Sequence, residues 1–207
     1  MELQGELVFG FEQNERWNAY RFCHEEFRKA MKTDSAKNDY DYLALHLQAF
    51  LASWGMIVRD SILMKRNYKC LIHPLKEIFE FSDANKILMD VDPYSPEFDR
   101  DEYIRLLLEL KEKVKNSLVK DGRSPTDALI SKMLLGTLSC VVAFDGKVRT
   151  GLGVSGINRG ALNKVCDCFD NKKEKILEQY NLMEQKSGWQ VPMMGVLDNM
   201  LWNTIKQ

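Results

Sequence analysis

The stretch SPTDALISKMLLGTLSCVVAFDGKVRTGLG, residues 124 to 153, contains the features that decide the fold. Ser124, Pro125 and Thr126 form a helix start signal, and an apolar segment with one internal glycine follows them. The apolar run CVVAF then ends at a single carboxylate, Asp145, before a loop rich in glycine and basic residues. A lone acid where a buried segment meets a glycine loop is the strongest candidate for chemistry in this chain.

The composition indicates an ordinary globular protein. The chain has 207 residues, of which 45% are hydrophobic and 29% are charged, and its formal net charge is −1. This length suits one large domain or two small lobes. Five irregularly placed cysteines predict no disulfide framework, so we expect a reducing, cytoplasmic setting. Cys166 and Cys168 are too closely spaced for the usual zinc ligand pair, so we expect no metal. No segment has the length or composition of a membrane span or a signal peptide, so we expect no membrane partner.

Apolar residues recur at helical spacing along most of the chain. The spacing predicts helices over 12–31, 40–64 and 96–120, a helix after Pro74, a helix over 126–140, one or two helices over 158–183, and a last helix after Pro192. The start of the 96–120 helix is predicted from Ser95, and residues 141–156 are predicted as a glycine-rich connection. Residues 1–10 suit a short strand or an extended arm. We therefore expect a single all-α domain over 1–207, with about eight helices in two packed sub-lobes, 35–145 and 1–34 plus 146–207.

The order of features around Asp145 resembles the helix-hairpin-helix DNA glycosylase superfamily. Gly122, Ser124, Pro125 and Thr126 stand where a hairpin and helix start would be, and Val141 to Phe144 precede the aspartate as the family's apolar run does. The similarity covers about 30 residues. SPTD replaces the glycine-x-glycine of the hairpin, glycine-lysine follows Asp145 in place of threonine-histidine, and no iron–sulfur cysteine set is present.

The resemblance implies a DNA glycosylase with Asp145 as the catalytic carboxylate. The nearest lysine, Lys132, lies well inside the helix, so we expect monofunctional hydrolysis without a lyase step and without a cofactor. The partner would be double-stranded DNA bound by a monomer, and the substrate a damaged or modified base, as in a bacterial defence enzyme against modified phage DNA. The residues available for a base pocket are His46, Gln48, Trp54, Tyr68 and Phe144. The residues available to hold DNA phosphates are Gly122, Ser124, Thr126, Lys147 and Arg149.

Two other classes of function stay open. Arg66 and His73, which follow the predicted 40–64 helix, resemble the pair used by HEPN-type metal-independent ribonucleases, in which arginine holds a phosphate and histidine moves a proton. Ten methionines, including the pair Met193 and Met194, would suit a non-catalytic helical protein with an adaptable interaction surface. An aspartate before glycine is also a common turn former.

Overall fold

The computed structural model describes residues 15–33, 39–58 and 61–204. This part of the chain contains nine α-helices and no β-strand, which confirms the all-α fold class. The helices are α1 (Glu15–Lys32), α2 (Tyr40–Ser53), α3 (Ile72–Ala84), α4 (Arg100–Leu118), α5 (Asp127–Leu138), α6 (Gly146–Leu152), α7 (Arg159–Asn171), α8 (Lys173–Ser187) and α9 (Met193–Thr204). Short 3-10 helices occupy Tyr68–Leu71 and Lys86–Leu88. The expected arm at 1–10 lies outside the described residues.

Helix α5 is the central helix of the fold. Every residue from Leu129 to Leu138 is buried, and the helix packs against α1, α2 and α4. Thr126 caps its start, because the Thr126 hydroxyl accepts a hydrogen bond from Leu129 N at 3.2 Å. Gly136 faces the ring of Phe50 on α2, where an added Cβ would lie 2.5 Å from Cε1. The glycine inside the apolar run therefore allows α2 and α5 to approach closely.

The predicted helix over 40–64 is wrong in its second half. Helix α2 ends at Ser53, because Gly55 adopts a left-handed φ of +71° and Met56 N donates to Leu51 O at 2.8 Å, as in a Schellman motif. Val58, an apolar residue within the predicted helix, is 51% exposed. Gly55 therefore ends α2, although apolar residues continue at helical spacing beyond it.

Two further boundaries differ from the sequence prediction. The fourth helix begins at Arg100 rather than after Ser95, since the carboxylate of Asp99 caps it by accepting from Glu102 N at 2.9 Å. The predicted connection over 141–156 contains helix α6, which Asp145 caps. No helix in the described ranges is long and apolar enough to cross a membrane.

A non-helical segment, 140–144, joins α5 to α6 and is completely buried. Its backbone polar groups need partners away from water, and three side chains supply them. Tyr103 Oη donates to Cys140 O at 2.8 Å, Ala143 N donates to Asp198 Oδ1 at 2.7 Å, and Phe144 N donates to Ser131 Oγ at 2.8 Å. These bonds fix the backbone that leads into Asp145.

Candidate functional site: the charged cluster around Asp145

The two carboxylate oxygens of Asp145 face different partners. Oδ1 accepts hydrogen bonds from Lys147 N and Val148 N, both at 3.1 Å, and so caps α6. Oδ2 accepts a bond from the indole Nε1 of Trp202 on α9 at 3.2 Å. The side chain remains 16% exposed. One oxygen is thus committed to the helix start, while the other points into a cluster of charged and aromatic side chains.

Two cations lie beside Oδ2. Lys132 Nζ, on the central helix, is 3.9 Å away, and the guanidinium of Arg16, on α1, is 4.0 Å away. Lys132 is buried, and its ammonium also donates to Trp54 O at 2.8 Å. Burial lowers the pKa of Lys132, and the charge of Asp145 counteracts part of that fall. The amine is therefore held between a carboxylate and the carboxyl end of α2.

The guanidinium of Arg16 contacts two indole rings. Its Cζ lies 4.2 Å from the ring centroid of Trp54 and 4.7 Å from that of Trp202. Lys147 Nζ also lies over the Trp202 ring, at 3.7 Å. Cations favour the faces of indoles, so these contacts stabilise the cluster. Burial lowers the pKa of Arg16, while Asp198 and Asp145 act in the opposite direction. A flat cationic group thus contacts two large aromatic faces beside Asp145.

A second acidic residue, Asp198, lies next to the cluster. It is only 1% exposed, and burial raises its pKa to about 7. The hydrogen bond from Ala143 N and the positive charges of Arg16 and Lys132 oppose this rise, whereas Asp145 adds to it. The cluster therefore combines two acidic groups with three cations, Arg16, Lys132 and Lys147.

The residues predicted to line a base pocket lie in different parts of the structure. Trp54 belongs to the cluster, through its ring and its carbonyl. Phe144 precedes Asp145 but is fully buried in the core. His46 stacks edge-on against Tyr42 with the ring centroids 4.5 Å apart, and Tyr68 lies beside Asp41 at the start of α2. Within the described residues, no hydrogen bond, ion pair or ring contact joins His46, Gln48 or Tyr68 to Asp145.

The predicted phosphate-holding residues form two groups. Gly122, with a φ of +73°, lies in the turn before α5, and Ser124 and Thr126 are exposed between that turn and the helix. Lys147 and Arg149 lie on α6, immediately after Asp145. The Arg149 guanidinium donates to Ser155 O at 3.0 Å and so holds the following loop.

Arg66 and His73 have separate partners. The Arg66 guanidinium donates to Leu118 O at 3.2 Å, at the end of α4. His73 is 68% exposed, and its Nε2 lies 3.6 Å from a carboxylate oxygen of Glu77. Within the described part of the chain, no hydrogen bond joins the side chains of Arg66 and His73.

Four residues of the cluster were not recognised as site residues from the sequence: Arg16, Lys132, Asp198 and Trp202. A signal for two of them existed. Lys132 and Asp198 are each the isolated charge of a largely apolar helical segment, a pattern that indicates a buried charge with a partner. Arg16 carried no such signal, because charged residues are common on the helix that contains it.

Comparison with known proteins yielded no match to a family model, a curated protein or a solved structure.

Proposed function

We propose that this protein is a monofunctional DNA N-glycosylase that hydrolyses the bond between deoxyribose and a damaged or modified base. The observation that carries the proposal is the environment of Asp145 Oδ2, which belongs to a side chain that is 16% exposed and has two indole rings and two cations nearby. Carboxylate, aromatic faces and cations are the groups that this reaction requires.

Asp145 would act on the sugar. When the N-glycosidic bond breaks, its electron pair leaves with the base, and positive charge develops on C1′ and the ring oxygen. A fixed carboxylate beside the sugar stabilises that charge. A water molecule on the same side then forms the new bond to C1′, its proton passes to Asp145 or to solvent, and the departing base takes up a proton. The products are a free base and an abasic site.

The two tryptophans would hold the base. A base must leave the helix stack before a protein can act on its glycosidic bond, and it is then held between aromatic faces. Trp54 and Trp202 both contact the flat guanidinium of Arg16. We propose that an extruded base displaces or stacks beside Arg16 and contacts the same rings. Phe144 would support this site from the core, and His46, Gln48 and Tyr68 would contact flanking parts of the DNA.

The connection between α4 and α5 would serve as the DNA-binding hairpin. It is a tight turn between two helices, and Thr126 caps the second of them 19 residues before Asp145. We propose that Gly122, Ser124 and Thr126 hold a phosphate there, and that Lys147 and Arg149 hold another beside the site. The two ends of the chain would form one sub-lobe and residues 35–145 the other, with duplex DNA bound by a monomer. Modified phage DNA would be a suitable substrate.

The test uses purified full-length protein and duplex DNAs that carry normal, damaged or modified bases, with hot alkali to cut at abasic sites. The expected result is base release from at least one modified duplex and a loss of about 100-fold or more in Asp145→Asn. Asn caps helices about as well as Asp, and circular dichroism verifies that the variant is folded. The matched control is Asp167→Asn, on the exposed surface of α7. Failure of every duplex, or full activity of Asp145→Asn, would refute the proposal.

Borohydride tests the monofunctional assignment. If the amine of Lys132 attacked C1′ in place of water, an imine would form between the lysine and the opened sugar, and borohydride would reduce it to a stable cross-link. The hydrolytic proposal predicts no cross-link with wild-type protein. A cross-link that disappears in Lys132→Gln would contradict it.

A further inference from the structure

A cluster of cations lies on two neighbouring loops outside the Asp145 site. The first loop, residues 64–70, carries Lys65, Arg66 and Lys69, and the second, residues 119–123, carries Lys120 and Arg123. Arg66 joins the loops by donating to Leu118 O at 3.2 Å. Burial raises the pKa of the Cys70 thiol, and both Arg66 and Lys120 are close enough to counteract that rise. The five cations of these two adjoining loops are here called the loop patch.

The cations of the loop patch have no acidic partners among the described residues, and Asp121 is the acidic residue within the second loop. This contrasts with Arg100, Arg105 and Arg159, each of which forms an ion pair. Asp41 borders the patch beside Tyr68. The patch thus presents unneutralised positive charge on a protein whose net charge is −1.

The second loop holds two like charges opposite each other. Lys120 and Arg123 pair through both backbone bonds, at 3.2 and 2.9 Å, around Asp121 and Gly122, whose φ values are +52° and +73°. Positive φ at both central residues is typical of a type I′ turn. Side chains of such a directly opposed pair start about 5 Å apart, and like charges in that arrangement repel. An anion between them would remove the repulsion, and a phosphate group has the size and charge to do so.

Two stretches of sequence link the loop patch to the Asp145 site. Trp54, whose carbonyl binds Lys132, precedes Lys65 by 11 residues in the sequence. Along α5, Lys132 lies six residues after Thr126, which is about 9 Å of helix axis. The same two loops carry two exposed apolar side chains, Met64 at 54% and Val119 at 46% exposure. These side chains would contact the sugars of a DNA strand.

We infer that the loop patch binds the phosphodiester backbone of duplex DNA, a few phosphates away from the base held at Asp145. This inference rests on the proposed function for the identity of the polyanion. It adds Lys65, Arg66, Lys69, Lys120 and Arg123 to the binding surface, as side chains that neutralise phosphates along one strand.

Fluorescence anisotropy with a labelled, unmodified duplex of about 20 base pairs tests the inference, in about 50 to 300 mM NaCl. Lys65→Glu/Lys120→Glu reverses one charge on each loop, and Lys65→Gln/Lys120→Gln only neutralises them. The matched control is Lys86→Glu/Lys113→Glu, at exposed positions outside the two loops. Circular dichroism verifies that each variant is folded.

We expect the Glu variant to bind the duplex at least about tenfold more weakly at low salt, with a salt dependence shallower by about two units of log Kd per log unit of salt. The Gln variant should lie between it and wild type, and the control should bind as wild type does. Equal binding by wild type and the Glu variant, or equal weakening in the control, would overturn the inference. So would binding to phosphatidylserine vesicles without binding to DNA.

The outcome is separable from that of the proposed function. If no base is released by wild type but the loop variants lose DNA binding, the loop patch stands and the glycosylase proposal falls. If bases are released and the loop variants bind DNA normally, the glycosylase proposal stands and the inference about the loop patch falls.

Discussion

Replacing Asp198 by asparagine should remove a specific pH dependence of stability. The carboxyl of Asp198 is fully buried and has a pKa of about 7 in the folded protein, compared with an ordinary value of 3.8. Between these values the folded chain holds a proton that the unfolded chain has released. Folding therefore takes up a proton, and the free energy of unfolding falls as the pH rises towards 7. The amide side chain of the Asp198→Asn variant cannot titrate, so that variant lacks this contribution.

The magnitude follows from the pKa difference. Well below pH 7 each pH unit changes the free energy of unfolding by about 1.4 kcal/mol, and the slope flattens as the folded carboxyl titrates, so the change from pH 5 to pH 7 is about 2 kcal/mol. Between pH 5 and pH 7 the free energy of unfolding of wild type should fall by this amount relative to that of Asp198→Asn. A constant difference in packing between carboxyl and amide shifts one curve against the other but leaves the slopes unchanged. The charges facing Asp198, namely Arg16, Lys132 and Asp145, are present in both proteins.

The assay is urea unfolding of both proteins at about pH 5, 6, 7 and 8, monitored by circular dichroism and tryptophan fluorescence. Asp101→Asn, at an exposed position on α4, controls for the substitution itself and should keep the slope of wild type. Parallel pH curves for wild type and Asp198→Asn would refute the reasoning, because they would show that Asp198 has the same proton occupancy in the folded and unfolded chains.

The packing around α5 gives further predictions. Gly136→Ala would place a Cβ 2.5 Å from Phe50 Cε1, so we expect a loss of about 1 to 3 kcal/mol in the free energy of unfolding. Gly146→Ala, where an added Cβ meets no atom within 4 Å, is the matched control and should be neutral or stabilise by up to about 1 kcal/mol. Ser131→Ala leaves Phe144 N buried without its acceptor and should cost about 1 to 3 kcal/mol. Urea unfolding measures the free energy of unfolding of all three variants. A Gly136→Ala or Ser131→Ala variant that is as stable as wild type would contradict the packing described.

Local signals in the sequence were sufficient for most of the fold. The start of α5 follows from Thr126 and the apolar residues after it, because a hydroxyl cap and a helical apolar period act over a few residues. The end of α2 was missed, since Ile57 and Val58 continue the apolar period beyond the glycine that ends the helix. At the start of α4, Ser95 and Asp99 are both suitable caps, and only the packed chain selects Asp99.

Of the candidate site, local sequence patterns indicate only Asp145. Asp145 was identified from its position between an apolar run and a glycine, which are neighbours in sequence. Arg16 and Trp202 reach it from α1 and α9, near the two ends of the described chain, and no local pattern encodes that approach. Lys132 shows the same limit. Its position inside α5 was known, but its distance of 3.9 Å from Asp145 Oδ2 depends on how the 140–144 segment turns back along the helix.

The most direct test of Asp145 as the catalytic carboxylate is the single-turnover rate of base release, measured by mass spectrometry of the freed base. Protein is in excess over a duplex already shown to be a substrate, so binding and product release do not limit the rate. We expect Asp145→Asn to bind this duplex but to release the base about 100-fold or more slowly than wild type. An Asp145→Asn variant that binds equally well and releases the base at the wild-type rate would contradict this expectation.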